Sequence, residues 1–570
     1  MTKPCVCFLR NSISLAVLVF LSSTISAAQV AVTTYHNDNY RSGANTNETM
    51  LTPLNVNLQS FGKLAVFRVQ GYVYAQPLYV PGVMIGNTVH NVVYIATEHD
   101  QVYAFDVDSG QQLWHTSYIG YFSFGSVLPV ASFQVLCGDL VPEIGITGTP
   151  VIDTTTKTMY LVTKERLFDQ ASKTSQFAQT LHALDITTGN DKATHLITAS
   201  VPGTGNGSVG GVLTFNPLIQ GQRAALLLQN GEVFVSWGSH CDLFAFHGWM
   251  MSFDKTRLAP TGVYVTTANG EDGGFWAGGS GPAVDSSGAI YFGSGNGDFT
   301  GNDDGTDFGD SILRLNWSNN TFTLVDYFTP WDYESLDQND TDLGSGGVLL
   351  LPDQPGAPHP HLLVQAGKEG TIDLVNRDDM GHWNSGNDSQ IVQTLPKIIG
   401  GVWGAPAFWN NNLYYGGSFG DYLKVFAFNP QTQLLSTEPI SQSPEEFGFP
   451  GPTPSVSSNG TANGIVWIVE SDTYGGGNAV LRAYDATNLG NELYNSNQNP
   501  ERDQAGLAVK FSVPTVADGL VFVGGESEAD MYALLRPKHL SIARNTRARW
   551  YMTATVLLTA NDSVLCEMAS

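Results

Sequence analysis

Positive charge is scarce in this sequence: Lys and Arg number 26 against 52 Asp and Glu, a formal net charge of -26. That balance argues against a nucleic-acid partner, whose phosphates must be neutralised, and against docking on an anionic membrane surface. Cysteine is scarce too. Of the 5 cysteines, Cys5 and Cys7 fall in a leader segment and Cys566 in an odd tail. Cys137 with Cys241 is therefore the pair expected to bridge, and neither a cysteine-rich staple nor a zinc ligand set is present. Beyond the leader no run is long and apolar enough to cross a bilayer. Also missing are C-x-x-C-H, G-x-S-x-G, H-E-x-x-H and a phosphate loop. Their absence removes covalent haem attachment, serine esterase, zinc protease and nucleotide chemistry from consideration.

What is abundant points to strands. Gly 61, Pro 27, Trp 11 and Tyr 22, with only 14% charged residues, suit many short strands joined by tight turns. Residues 1–28 combine Lys3 and Arg10 with an apolar run, Ile13 to Leu21, and small residues at Ser26 and Ala28. This is the pattern of a cleaved signal peptide and predicts secretion, extracellular or periplasmic, with no stable membrane insertion afterwards. Sequons such as Asn47-Glu-Thr and Asn206-Gly-Ser would be glycosylated in a eukaryotic host. Residues 29–60 are polar and spotted with aromatics, and read as an extended N-terminal arm lying on the body. Residues 536–570 read as an atypical C-terminal tail.

Between them, residues 61–535 repeat one grammar: a Pro-containing lead-in, a strand, Asp or Gly turns, then further strands. Val92 to Trp114, VVYIATEHDQVYAFDVDSGQQLW, is its best copy. Approximate copies follow near Gly148–Asp185, Ala225–Asp254, Gly281–Asn316, Gly346–Asn376, Gly404–Phe428, Pro454–Asp485 and Val513–Leu535. The runs alternate apolar and polar residues with the strand period of two. A unit this small cannot hide both faces alone, so copies must stack on one another, and radial stacking leaves no open end. The fold class is therefore all-β, a single β-propeller of eight blades, seven being the alternative count. Phe61–Val69, the first strand, is placed to pair with the last unit and close the ring.

The repeats Ala104-Phe-Asp-Val-Asp-Ser-Gly-Gln-Gln-Leu-Trp114 and Ala183-Leu-Asp-Ile-Thr-Thr-Gly189 resemble those of the pyrroloquinoline-quinone-like (PQQ-like) propeller family. TYHNDNYRSG at Thr34, YAQPLYV at Tyr74, EIGITGTPVID at Glu143, DLGSGGVLLLPDQ at Asp342 and AGKEGTIDLVNRDDMGH at Ala366 extend the resemblance to its secreted members from soil bacteria. It implies two cofactors, pyrroloquinoline quinone and calcium, and oxidation of alcohols or sugars. It also implies an adjacent Cys-Cys pair, calcium held by Glu, Asn and Asp, and an Asp base. This chain has no adjacent cysteines.

Three groups of residues are candidates for chemistry. Asp298, Asp304 and Asp307 lie in an Asn/Asp/Gly loop of the type that converges oxygens on calcium. Glu143, Lys368 and Glu369 are candidate catalytic residues, a Lys beside a quinone being suited to stabilising the reduced oxygens. Trp237 and Trp249 offer flat faces for a planar cofactor. The residues alone favour a secreted binding or scaffold module, with a glycan, a small alcohol or sugar, or a protein as partner. The alternatives are a quinone-dependent oxidoreductase and a carbohydrate-active hydrolase or lyase. A central pocket with an acid, a Lys or Arg and a flat aromatic surface would favour the oxidoreductase; an apolar axis would weigh against it.

Overall fold

The computed structural model of the chain describes residues 29–535. The signal-peptide and tail segments lie outside the described residues. Among the described residues no helix is long and apolar enough to cross a membrane.

Eight blades of antiparallel strands follow one another along the chain, and a ninth, two-stranded sheet joins Ser200–Pro202 to Val212–Thr214. Blade 1 comprises Leu78–Ile85, Thr88–Thr97, Gln101–Asp106 and Gln112–Ser117, and blade 2 begins at Val151–Asp153. The first strands of blades 3 to 7 are Leu227–Gln229, Ala283–Val284, Leu349–Leu350, Ala407–Trp409 and Ser455–Asn459. Blade 8 is assembled from both ends of the described chain: Leu520–Leu534 is its middle strand, pairing with Thr515–Ala517 on one side and with Phe61–Tyr72 on the other. The degenerate third and fifth repeats are complete four-stranded sheets, which settles the count at eight.

Period-two patterning explains the ring. In the second strand of blade 1, Val92, Tyr94 and Ala96 pack with Ile152, Met159 and Leu161 of blade 2. Val93 and Ile95, on the opposite face, pack with Phe67, Ala529 and Met531 of blade 8. The same division recurs in blade 7, where Ile465 and Trp467 face blade 8 and Val466 and Ile468 face blade 6. Interior strands are thus apolar on both faces, not alternately polar, because each blade is covered by two neighbours. Every pair of adjacent blades shares such a cluster, including blade 8 with blade 1, so the ring is closed.

Polar clasps set the spacing. Tyr94 Oη donates to Ile186 O at 3.1 Å, Tyr160 Oη to Lys255 O at 2.9 Å and Tyr414 Oη to Ala486 O at 2.8 Å, each reaching into the next blade. Trp114 Nε1 joins Tyr94 on the same carbonyl at 3.0 Å. It lies so close over Gly189 that a Cβ there would come within 2.6 Å of the indole. The Asp of each A-x-D motif caps its own turn: Asp106 Oδ1 accepts Ser109 N at 2.7 Å, and Asp185 Oδ1 accepts Thr187 N at 2.8 Å.

The arm does not lie on the outside of the body. Val32 exchanges backbone bonds with Tyr79, and Ile152 N donates to Thr33 O. Asn39 Nδ2 then reaches Leu228 O, and Val284, Leu350, Phe408 and Val456 N–H donate in turn to Asn39, Tyr40, Ser42 and Gly43. Asn45 Nδ2 finishes on Val516 O at 3.1 Å. Residues 32–45 therefore touch the first strand of all eight blades, which only a segment at the centre of the ring can do. Arg41, fully buried, ties the turn together through Thr34 Oγ1 at 2.8 Å, Tyr35 O at 3.0 Å and Pro282 O at 3.2 Å.

Candidate functional site

With the arm plugging the centre, one face of the ring retains an axial cavity of about 250 Å³. Its residues come one or two at a time from the loops of blades 2 to 8. The loop ahead of blade 2 supplies Asp139, and the connection inside blade 3 supplies Cys241 and Asp242. Trp276, Trp403, Phe449, Lys510 and Phe511 precede the first strands of blades 4, 6, 7 and 8. Lys368 sits on the turn of blade 5, and Arg223 precedes blade 3. Below Arg223 and Phe511 a void of about 10 Å³, barely room for one water, separates the cavity from Tyr35 of the arm.

One wall carries the disulfide Cys137–Cys241, as the cysteine count predicts. Cys241 and Asp242 both take left-handed backbone conformations, φ 53° and 49°, which non-glycine residues adopt at a cost. Behind the wall runs a chain of three groups. Lys164 Nζ donates to His240 Nε2 at 2.8 Å, and His240 Nδ1 donates to Asp139 at 3.2 Å. Burial, with the Lys164 charge, holds His240 neutral, so this contact is a hydrogen bond fixing the tautomer. Burial also lowers Lys164 to about 7. Burial pushes Asp139 up, but His240, the Leu140 N–H and Arg223 outweigh it and keep it ionised.

The opposite wall is cationic and aromatic. Lys368 pairs with buried Asp342 at 2.7 Å and with Asp340, and these acids outweigh burial to keep the ammonium charged. The Arg223 guanidinium lies 3.6 Å over the Phe511 ring, and Lys510 Nζ 5.0 Å over Tyr474. Desolvation draws Arg223 down to about 10 and Lys510 to about 8. Trp403 meets Phe449 edge-to-face at 5.1 Å, and Phe449 meets Phe511 at 6.1 Å. Asp242 is raised by burial against the opposing pull of Ser239 Oγ and Lys368.

Of the candidate catalytic, cofactor and metal residues singled out from sequence, Lys368 alone reaches this cavity, beside the expected bridge residue Cys241. Glu143 turns away to His99 at 2.6 Å. Glu369 accepts Thr371 Oγ1 at 2.7 Å and lines a different cavity. Trp237 and Trp249 are buried between blades 2 and 3 against Phe215, and Trp237 Nε1 donates to Gln179. With both faces covered by side chains they offer no platform; Trp276 and Trp403 hold that position instead. Asp307 accepts the backbone N–H groups of Asn269 and Gly270, Asp298 accepts Glu271 N–H, and Asp304 is exposed at a left-handed turn. Among the described residues the group with three donor atoms within 4.8 Å of one another is Cys137, Asp139 and Cys241, and its sulfurs are spent in the disulfide.

No family model matches the sequence, and no curated protein matches it. Solved structures do. Quinohemoprotein alcohol dehydrogenase from Comamonas testosteroni is 13% identical over 94% of this chain and 84% of its own, with a TM-score of 0.56. Europium-containing methanol dehydrogenase is 12% identical over 88% of this chain and 98% of its own, with a TM-score of 0.55. The chain has the PQQ-like β-propeller fold. At these identities the likeness is one of architecture, shared with quinoprotein propellers at large rather than with the soil-bacterial group that the motifs suggest. Within this PQQ-like propeller, function has to be argued from the cavity itself.

Proposed function

We propose that the chain is a quinone-dependent oxidoreductase of alcohols or sugars, with pyrroloquinoline quinone held in the axial cavity. One observation carries this reading: Arg223, Lys368 and Lys510 converge on a space walled by Trp276, Trp403 and Phe511. A flat polycarboxylate quinone needs both halves of that arrangement, cations for its carboxylates and aromatic faces for its rings. When bound, it would supply the two-electron acceptor that protein side chains lack. Lys368, held charged by Asp340 and Asp342, would stabilise negative charge at the oxygens of the acceptor. Asp242, raised by burial and adjacent to the disulfide, is placed to take the hydroxyl proton of a substrate. Trp403, Phe449 and Phe511 shield the site from water.

Calcium has no comparable support at the cavity. Asp340 and Asp342 are committed to Lys368, Asp139 to His240, and Asp242 to Ser239. The positive charge in the reading above is therefore the protein's own. An oxidising compartment, periplasmic or extracellular, agrees with the Cys137–Cys241 bridge.

The test is direct. Purified protein mixed with pyrroloquinoline quinone, with and without calcium, should retain the cofactor absorbance through gel filtration and reduce a dye when an alcohol or aldose is added. Lys368→Met should lower the dye-reduction rate roughly 10²-fold, the scale for losing one preorganised electrostatic contact. No retention under either condition would return the protein to the binding or scaffold reading.

A further inference from the structure

A second cavity, of about 240 Å³, is cut into blade 5 and the segment leading to it, away from the disulfide wall. Asp332, Glu369, Asp373 and Asp388 line it with Trp331 and Lys397. Lys397 is bonded to Glu369 at 3.0 Å. Among the described residues no Lys, Arg or His pairs with the other three acids. Asp373 is only 2% exposed, and its Oδ1 has no hydrogen-bond partner, an expensive condition for a buried acceptor. Trp331 is held by its backbone N–H donating to Asp388 Oδ1 at 2.8 Å and leaves its side chain 46% exposed.

The occupant can be narrowed by chemistry. No three of these acids bring donor atoms within 4.8 Å of one another, so they are spread over the walls and do not converge on a metal ion. A neutral sugar would satisfy hydrogen bonds and leave the half-buried Asp332 and Asp388, which crowd Asp373, without a counter-charge. A cation with N–H donors on an apolar frame answers all three features: the unpaired acids, the unused Asp373 acceptor and the exposed indole.

We propose that this cavity binds a primary aliphatic ammonium ion, its N–H directed at Asp373 and its hydrocarbon against Trp331. The site stands on its own observations and does not depend on the quinone reading. Titration accompanies binding. Burial, then the fields of Asp388, Asp332 and Glu369, raise Asp373 to about 8 against the Thr394 hydroxyl. Lys397 pairs with Glu369 on one side, and the buried Tyr415 hydroxyl of blade 6 faces Asp373 on the other. A bound ammonium favours the ionised carboxyl, so at pH 7 binding must release protons. Affinity must rise as pH passes through 8, where Asp373 ionises without help.

Putrescine is the probe for isothermal titration calorimetry of the full chain, at pH 7 in two buffers of different ionisation enthalpy. The expected result is saturable binding with net proton release, weakened at least tenfold in Asp373→Asn and about threefold in Trp331→Ala. Tetramethylammonium, which has no N–H, should bind at least tenfold more weakly. Binding without proton release, equal binding of tetramethylammonium, or binding of glucose or calcium in place of putrescine would each overturn the assignment. Because proton release is read on the wild-type protein, a misfolded variant would not leave the question open.

Discussion

Replacing Arg41 with methionine should cost about 4 kcal/mol of stability, read from the guanidinium unfolding midpoint. Arg41 is fully buried, and its guanidinium donates to Thr34 Oγ1, Tyr35 O, Pro282 O and Leu226 O. Each acceptor stranded in the interior costs about 1–3 kcal/mol, and here several are stranded together without room for water to replace the donor. Burial draws the guanidinium down only to about 10, with Asp38 and Tyr35 opposing the shift, so the group stays charged at neutral pH. Arg41→Lys keeps the charge but cannot reach the divergent acceptors, and should recover less than half of the loss. Gly281→Ala approaches the same contact from the other side, since a Cβ there would lie 2.4 Å from Arg41 Nη2. A loss below about 1 kcal/mol in Arg41→Met would show that the arm is dispensable to the ring.

Converting both Cys137 and Cys241 to serine should lower stability by about 2–4 kcal/mol, with about 4.7 as the chain-entropy ceiling for so long a loop. The bridge spans 104 positions and joins the segment ahead of blade 2 to a connection within blade 3. Reductant should reproduce the loss in the wild-type protein and add nothing in the double variant. The second effect is local. The bridge and the Lys164–His240–Asp139 chain support the same wall, so the variant should also retain pyrroloquinoline quinone less well than the wild type. Unchanged unfolding midpoints with and without reductant would contradict the stabilising role.

The architecture was legible because every blade restates it. The valines and tyrosine of Val92–Ile95 announce a strand, Asp106 announces its turn, and Trp114 announces the contact with the next blade. The cavity has no such local signature, since most blades lend it one or two residues. A faint signal exists all the same. Tyr74, Thr147, Trp403 and Phe511 each stand three positions before a proline that leads into a first strand, and each lines the axial space. Trp237 and Trp249 misled for the converse reason: an indole in a strand announces bulk without saying whether a neighbouring blade covers it. The residues alone lean toward a scaffold because catalytic hallmarks such as an adjacent Cys-Cys pair are missing and the polar clusters are weak. The convergence of cations at the cavity, which no count can reveal, is what shifts the reading toward oxidation chemistry.

The placement of residues 32–45 also dictates when the molecule can become whole. Asn45 and its acceptor on Val516 are 471 positions apart, and Val30 is bonded to Asp518 across 488. The arm therefore finds its last partners only once the final blade exists. Individual blades can zip locally from hairpins as they emerge, whereas circular closure carries the highest sequence separation in the chain and sets the slow step. A chain cut short before blade 8 would leave Val30 and Asn45 without their partners and one face of blade 1 uncovered. Completion of this propeller thus waits on blade 8, and residues 30–45 act as the drawstring of the ring.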